Sequence, residues 1–179
     1  VYKRQTLSYF LDNVSAGSPI LSAPLEQNLL LMADTPGVLI NSTLVPGKTL
    51  GTSELIVKAT AAPRVNGSID ADNAGNRYTG NTRAGATLNV NELLGYGDIG
   101  SFRVMSSGSG LKYMRGSYQA QFGKTTAGIA YSDLHYELGR EFQSLNASGK
   151  QKIYSLYANQ PLIRSKAKNI YFGLNLDSK

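Results

Sequence analysis

The sequence VNGSIDADNAGNRYTGNTRAGATLNV (Val65 to Val90) contains two segments in which small or apolar residues alternate strictly with polar ones. The apolar or small positions are Val65, Gly67, Ile69 and Ala71, followed by Ala84, Ala86, Leu88 and Val90. Between the segments lies NAGNRYTGN, residues 73–81, which is rich in turn-forming Gly and Asn. This pattern predicts a β-hairpin with one mildly apolar face and one polar face. Such a hairpin suits a wall between two media better than a packed core.

The composition of the whole chain is typical of β structure and excludes several classes of function. The 179 residues include 19 Gly and 11 Tyr but no Cys, which excludes disulfides and thiolate metal sites. No run of about 18 apolar residues occurs, so the sequence predicts no transmembrane helix. The formal net charge of +6 is spread over single Lys and Arg residues. We therefore expect no nucleic-acid partner.

The residues before the hairpin predict a small α+β unit. Residues 6–14 have apolar side chains at helical spacing, and a second helix is predicted to begin with Ser22 as its N-cap. Its apolar face is predicted to carry Leu25, Leu29 and Met32, which we expect in the core together with Ile40 and Val57. Thr35-Pro36-Gly37 should end this helix, because Pro cannot continue it. Two strands, Val38 to Val45 and Ser53 to Ala61, should follow.

Beyond the hairpin, alternating segments recur and predict five more strands. In the strand predicted for Thr126 to Leu138 the apolar residues change phase near Asp133. Either a β-bulge or a strand that projects beyond an apolar band would explain that change. Aromatic residues near the strand ends predict interfacial girdles: Tyr78, Tyr96, Tyr113, Phe122, Tyr136, Phe142 and Tyr154.

Two architectures are compatible with these strands. A soluble β-sandwich would pack the apolar face on a second sheet. A membrane wall is favoured by Arg83, Arg103 and Arg115 in the middle of the polar face, and by an apolar face rich in Ala, Gly and Tyr. The connections also alternate between longer ones (73–81, 106–110 and 139–149) and tighter ones (92–97, 123–125 and 161–168). Outer-membrane barrels have this arrangement of loops and turns.

The single histidine, His135, shares a strand face with Asp133 and Glu137, at a spacing that could suit a metal or an acid–base pair. No second element is predicted to converge on these residues. We therefore expect no catalytic residue, no metal site and no cofactor, and we expect that the protein is not an enzyme.

Six segments follow one another in an order that closely resembles the two-partner secretion transporters, the hemolysin secretion/activation (ShlB/FhaC/HecB, TpsB) family. They are LEQNLLLMADTPGV (25–38), LVPGKTLGTSELIVK (44–58), DNAGNRYTG (72–80), LNVNELLGYGD (88–98), YELGREFQSLNASG (136–149) and QPLIRSKAKNIYFGL (160–174). The resemblance implies a mainly β fold. It would comprise about seven of the sixteen strands of a transmembrane antiparallel β-barrel, preceded by part of an α+β POTRA domain.

On this resemblance, residues 6–62 would be the C-terminal part of the POTRA domain and residues 63–179 the N-terminal part of the barrel. We expect residues 1–5 to be a non-native leader and the chain to be a piece of a longer protein. The family's VRGY-type motif does not occur in this sequence and would lie beyond Lys179.

The resemblance also implies a function, the export across the outer membrane of a large partner exoprotein such as a hemolysin or adhesin. The partner would bind through its N-terminal secretion domain to the periplasmic POTRA part, and the barrel would contact outer-membrane lipid. We expect the full-length protein to be a monomer. The strand edge expected to bind the partner carries Val38, Ile40, Ser42 and Leu44. The residues expected to line the pore are Arg83, Thr87, Asn89, Arg103, Arg115 and Gln119.

Two alternatives remain at this point. One is a factor of the same superfamily that inserts other barrels into the outer membrane. The other is a soluble β-sandwich that acts as a binding module.

Overall fold

The computed structural model describes residue 17, residues 19–108 and residues 110–179. The leader and the helix predicted for residues 6–14 lie outside the described residues. The described part begins with a helix, α1 (Ser22–Ala33), and with two antiparallel strands, β1 (Val38–Pro46) and β2 (Ser53–Ala61). We refer to these three elements as the α/β module.

Seven further strands form one antiparallel sheet in which each strand pairs with the next along the chain. They are β3 (Val65–Asp72), β4 (Arg83–Asn91), β5 (Asp98–Ser106), β6 (Leu111–Phe122), β7 (Thr125–Glu137), β8 (Ser148–Arg164) and β9 (Asn169–Ser178). A short 3-10 helix, Arg140–Leu145, lies between β7 and β8. Within the described residues the sheet does not close, because β3 and β9 are its two edges. The mainly β fold is as predicted.

The pairing register assigns every side chain of the sheet to one of two faces, because directly opposed residues in an antiparallel pair project to the same side. One row of opposed residues contains Val90, Gly100, Tyr118, Ile129, Leu156 and Leu176. The neighbouring row on the other face contains Asn89, Ser101, Ser117, Ala130, Ser155 and Asp177. We call these the apolar face and the polar face. The predicted first hairpin pairs Val65 with Val90 and Asp72 with Arg83.

The α/β module has a small core in which α1 packs on β1. Leu31, Met32 and Val38 are buried there, with Leu29 and Ile40 packed against them. Val57 is also packed against this core as predicted, but Leu25 is not part of it. The prediction of the helix face was therefore partly wrong. The run Leu29-Leu30-Leu31-Met32 offers apolar side chains in every direction, so spacing alone does not select a face. The helix also begins one residue earlier than predicted, at Ser22, with Leu21 instead of Ser22 in the N-cap position.

Strands β7 and β8 correct two further predictions. Pairing of β7 with both neighbours is regular from Thr126 to Tyr136, so the phase change near Asp133 is not a bulge. Strand β8 continues to Arg164, through the residues predicted as the start of a turn. The register shift lies instead between Pro161 and Ile163 of β8, where the missing N–H of Pro favours an irregularity.

No helix within residues 19–108 and 110–179 combines the length and the hydropathy needed to cross a membrane.

Candidate functional site

The first candidate site is the edge of β1 that faces away from β2. Backbone hydrogen bonds join Ala62 N to the Gly37 oxygen (3.0 Å) and Gly47 N to the Thr52 oxygen (2.8 Å). Opposed residues in an antiparallel pair alternate between hydrogen-bonded and non-hydrogen-bonded positions. The odd-numbered residues of β1 therefore bond to β2. The N–H and C=O groups of the even-numbered residues point away from it.

The four residues predicted for the partner-binding edge, Val38, Ile40, Ser42 and Leu44, are the even-numbered residues of β1. In the described part of the chain, no strand other than β2 pairs with β1. The Val38 side chain is buried in the module core, and Ile40 is half-buried against it. Ser42 and Leu44 are exposed. The edge is thus anchored at its first half and open to solvent along its second half.

The second candidate site is the polar face of the sheet. All six predicted pore-lining residues project from it: Arg83, Thr87 and Asn89 from β4, Arg103 from β5, and Arg115 and Gln119 from β6. The structure therefore brings them onto one surface.

Two of the arginines on this face are held by aspartates of β3. Arg83 donates from Nε and Nη2 to the carboxylate of Asp72, at 2.9 and 3.1 Å. Arg103 donates from Nη1 and Nη2 to the carboxylate of Asp70, both at 2.9 Å, and from Nη1 to the Thr87 hydroxyl at 2.7 Å. Two parallel N–H···O bonds fix the orientation of a guanidinium more firmly than one.

Glycines make two contacts possible on the polar face. Arg103 lies on β5 and Asp70 on β3, so the guanidinium crosses β4 above Gly85, where a Cβ would lie 2.8 Å from Asp70 Oδ2. In the same way, the Tyr157 ring of β8 lies over Gly128 of β7, and its hydroxyl donates to Gln119 Oε1 on β6 at 3.3 Å. Each contact links two strands that are not neighbours.

Sequence reasoning identified the arginines but missed their partners Asp70 and Asp72. The first hairpin contained the signal: both aspartates occupy polar-face positions, and a glycine lies directly opposite Asp70. Only the pairing register shows that Arg103 of β5, two strands away, reaches Asp70 of β3. Alternation along one strand contains no information about which residues of other strands lie beside it.

The apolar face carries a continuous band of exposed aliphatic and aromatic side chains. Among its members are Leu88, Phe102, Ile129, Leu156, Leu174 and Leu176, each exposed by about half of its surface. Apolar surface of this extent on one side of a sheet marks contact with lipid or another apolar partner. Of the predicted girdle residues, Phe122 and Tyr154 lie on this face, but Tyr113 and Tyr136 lie on the polar face, so the girdle prediction was wrong for those two.

The α/β module contacts the sheet at the turn between β4 and β5. In the linker that joins the module to β3, the Pro63 oxygen accepts a hydrogen bond from Asn91 Nδ2 at 2.9 Å and the Arg64 oxygen accepts one from the Asn91 backbone N at 2.7 Å. Gly37 has a φ of 73°, and a Cβ there would lie 2.5 Å from Cγ of Glu92. A side chain at position 37 would therefore require the Glu92 side chain to move.

Asp98 orders the same turn at the end of the apolar band. Its carboxylate accepts hydrogen bonds from the backbone N–H groups of Leu94 and Tyr96, both at 2.9 Å. These two hydrogen bonds hold the backbone of the turn between β4 and β5 in place.

A second contact joins α1 to the turn between β8 and β9. Arg164 donates from Nε and Nη2 to the carboxylate of Asp34, at 2.7 and 3.0 Å. The backbone N of Lys166 donates to Glu26 Oε1 at 2.6 Å. The module is thus held at two places along the same end of the sheet.

The residues considered for catalysis lie on the apolar face at the opposite end of the sheet. His135 Nε2 lies 3.1 Å from Glu137 Oε1, and Asp133 accepts a hydrogen bond from the Tyr131 hydroxyl at 3.1 Å. Within the described residues, no three His, Cys, Asp or Glu side chains form a group that could hold a metal ion.

Comparison with known proteins agrees with this architecture. The sequence model of the family described as haemolysin secretion/activation protein ShlB/FhaC/HecB matches residues 51–179. The heme/hemopexin transporter protein HuxB of Haemophilus influenzae strain 86-028NP is 35% identical over 155 residues, as is HuxB of strain Rd. The match covers 85% of this chain but only 27% of each HuxB.

Two solved structures share the fold. CdiB from Escherichia coli superposes with a TM-score of 0.71 at 19% identity, over 97% of this chain and 34% of CdiB. CdiB from Acinetobacter baumannii gives a TM-score of 0.56 at 23% identity, over 88% of this chain and 32% of that protein. The family match covers more than two thirds of the chain, including all seven strands of the sheet. The chain therefore belongs to the haemolysin secretion/activation family of ShlB, FhaC and HecB, whose members are outer-membrane β-barrel transporters.

Proposed function

We propose that the full-length protein containing this chain exports a secreted partner exoprotein across the outer membrane, as the transporter of a two-partner system. One observation carries this proposal: a strand edge that is free within the described residues and a wall of seven strands occur in one chain of the family. The relative HuxB is also described as a transporter protein, which supports a transport function. We place the α/β module in the periplasm and the apolar face of the sheet against outer-membrane lipid. The full-length protein acts as a monomer.

Capture of the partner begins at the edge of β1. An extended segment of the partner can add to this edge as a further strand, because the outward N–H and C=O groups of Ser42 and Leu44 are exposed. Backbone hydrogen bonds supply affinity without requiring one particular partner sequence. The exposed Leu44 side chain, 51% accessible, offers an apolar contact beside them.

Passage of the unfolded partner follows the polar face. Arg83 and Arg103 are neutralised by Asp72 and Asp70, and within the described residues Arg115 is the one predicted pore-lining arginine without a carboxylate partner, so the face is hydrophilic and most of its arginine charge is balanced. A passing chain of mixed composition then meets hydrogen-bonding groups everywhere but is not held tightly at one place. Weak binding at many positions is what a conduit for a polymer requires.

The capture step is tested by substitutions at Ser42 in the full-length protein, produced in a Gram-negative host together with the partner exoprotein encoded beside it. Ser42→Pro removes one outward N–H and leaves the hydrogen bonds to β2 in place. Ser42→Ala keeps the N–H and is the matched control. We expect Ser42→Pro to lower the amount of secreted partner by about tenfold and Ser42→Ala to leave it unchanged, at equal barrel levels in the outer membrane.

The experiment distinguishes failure of the proposed capture step from failure of the proposed export function. Secretion at the wild-type level by Ser42→Pro would show that this edge does not capture the partner. Absence of partner from the medium even with the wild-type transporter would contradict the proposed export function itself.

A further inference from the structure

Three lysines form a cluster on the apolar face, at the end of the sheet far from the α/β module. Lys112 of β6, His135 of β7 and Lys150 of β8 are directly opposed in one row. Lys152 lies two residues further along β8 in the next row, opposite Asp133. We call Lys112, Lys150 and Lys152 the lysine patch. All three side chains are exposed.

The surroundings of the lysine patch follow the polarity profile of a membrane surface. The row next to Lys152 contains Tyr131 and Tyr154, whose ring centroids are 5.1 Å apart. The following row contains the aliphatic Ile129 and Leu156. The order aliphatic, aromatic, basic matches hydrocarbon, interface and headgroup region, in which Tyr and Lys are the preferred anchors. The phase change near Asp133 therefore marks the boundary between the apolar band and the headgroup region.

The positive charge of the patch is not neutralised within the described part of the chain. No carboxylate there lies within 4.0 Å of the ammonium groups of Lys112, Lys150 or Lys152. The two nearby carboxylates have other contacts, since Glu137 bonds His135 and Asp133 bonds Tyr131. On the polar face, by contrast, Arg83 and Arg103 have carboxylate partners.

A shallow cavity of about 890 Å³ joins the lysine patch to apolar surface of β4, β5 and β6. Besides the three lysines it is lined by the apolar Ala86, Val104 and Met114, and by Asp133 and His135, which lie opposite Lys152 and Lys150. Lys112 and Lys150 lie two strand spacings apart, about 10 Å, so flexible lysine side chains from both sides can reach one small anion. The cavity therefore offers a cationic rim and an apolar floor to the same ligand.

We propose that the lysine patch binds the phosphate group of an anionic membrane lipid, whose acyl chain lies over Ala86, Val104 and Met114. The lysines supply the positive charge that a phosphate headgroup requires, and the apolar floor supplies the contact that inorganic phosphate lacks. The site depends on membrane embedding of the apolar face and not on export, so it stands or falls separately from the proposed transport function.

The test uses the full-length barrel, purified in neutral detergent, and native mass spectrometry with three lipids of equal chain length. These are a phosphate monoester lipid, an anionic lipid with a carboxylate headgroup and a zwitterionic lipid. We expect the wild type to retain the phosphate lipid at least about fivefold more than the zwitterionic one. The variant Lys112→Gln/Lys150→Gln/Lys152→Gln should lose this preference.

The matched control is Lys124→Gln/Lys166→Gln/Lys168→Gln, which removes the same charge from turns at the other end of the sheet. It should retain the phosphate lipid like the wild type. Equal loss in both variants, or displacement of the lipid by inorganic phosphate, would overturn the proposal. Absence of any lipid preference in the wild type would overturn it as well, even if the patch variant does not insert.

Discussion

The basic residues on the two faces of the seven-stranded sheet differ in whether they have carboxylate partners. On the polar face, Arg83 and Arg103 each donate two hydrogen bonds to an aspartate of β3. On the apolar face, Lys112, Lys150 and Lys152 lie at the margin of the apolar band without a carboxylate partner among the described residues. The difference indicates that Arg83 and Arg103 find their partners within the chain, whereas the margin of the apolar face is built for a partner from outside the chain.

The largest effect should come from a charge inside the apolar band. Leu156→Arg replaces a residue flanked by Ile129 and Leu176, and we expect a loss of about 2–4 kcal/mol in the free energy of unfolding. Ser155→Arg puts the same side chain on the polar face, beside Asp177, and should cost less than about 1 kcal/mol. Urea unfolding of the full-length barrel in vesicles measures both. Equal losses would mean that the two faces are not in different media.

A medium effect should come from filling the space above a glycine. Gly85→Val places atoms where Arg103 reaches Asp70 and should cost about 1–3 kcal/mol, because the ion pair must rearrange. Gly116 lies on the apolar face, and a Cβ there meets nothing within 4 Å. Gly116→Val should therefore be neutral or slightly stabilising in the same unfolding assay. A Gly85→Val barrel as stable as the wild type would show that the bridge to Asp70 contributes little.

The smallest effect should appear in two double-mutant cycles. For Asp70→Asn with Arg103→Gln we expect a coupling energy of about 0.2–1 kcal/mol, since both side chains are more than one-third exposed. For Asp133→Asn with Lys152→Gln, which oppose each other without an ion pair, the coupling should be close to zero. A coupling for Asp133 and Lys152 as large as that for Asp70 and Arg103 would remove the contrast between the faces.

Much of the sheet could be predicted because the period of two is strict. A residue such as Thr87 or Ile129 can project only to one of two sides, so alternation assigns its face before any partner is known. The helix could not be treated in this way. Four consecutive apolar residues from Leu29 to Met32 leave its orientation to the strands on which it packs, and the buried face includes Asn28 and Leu31 instead of Leu25.

The contacts that cross a strand could not be predicted from the sequence. Arg103 meets Asp70, 33 residues away, only because the register places Gly85 between them. In the same way, the phase change at Asp133 was visible in the sequence, but a bulge and a polar margin produce the same pattern. Regular pairing of β7 with both neighbours decides between them.

The bidentate contact of Asp34 with Arg164 joins residues that are 130 positions apart. Contacts of such separation close a long loop and form late, after the local hairpins have already been made. This one requires that the strands from β3 to β8 be in their final register. Its formation therefore distinguishes a correctly assembled run of six strands from one that has slipped, and it would appear as one of the last events when the chain folds.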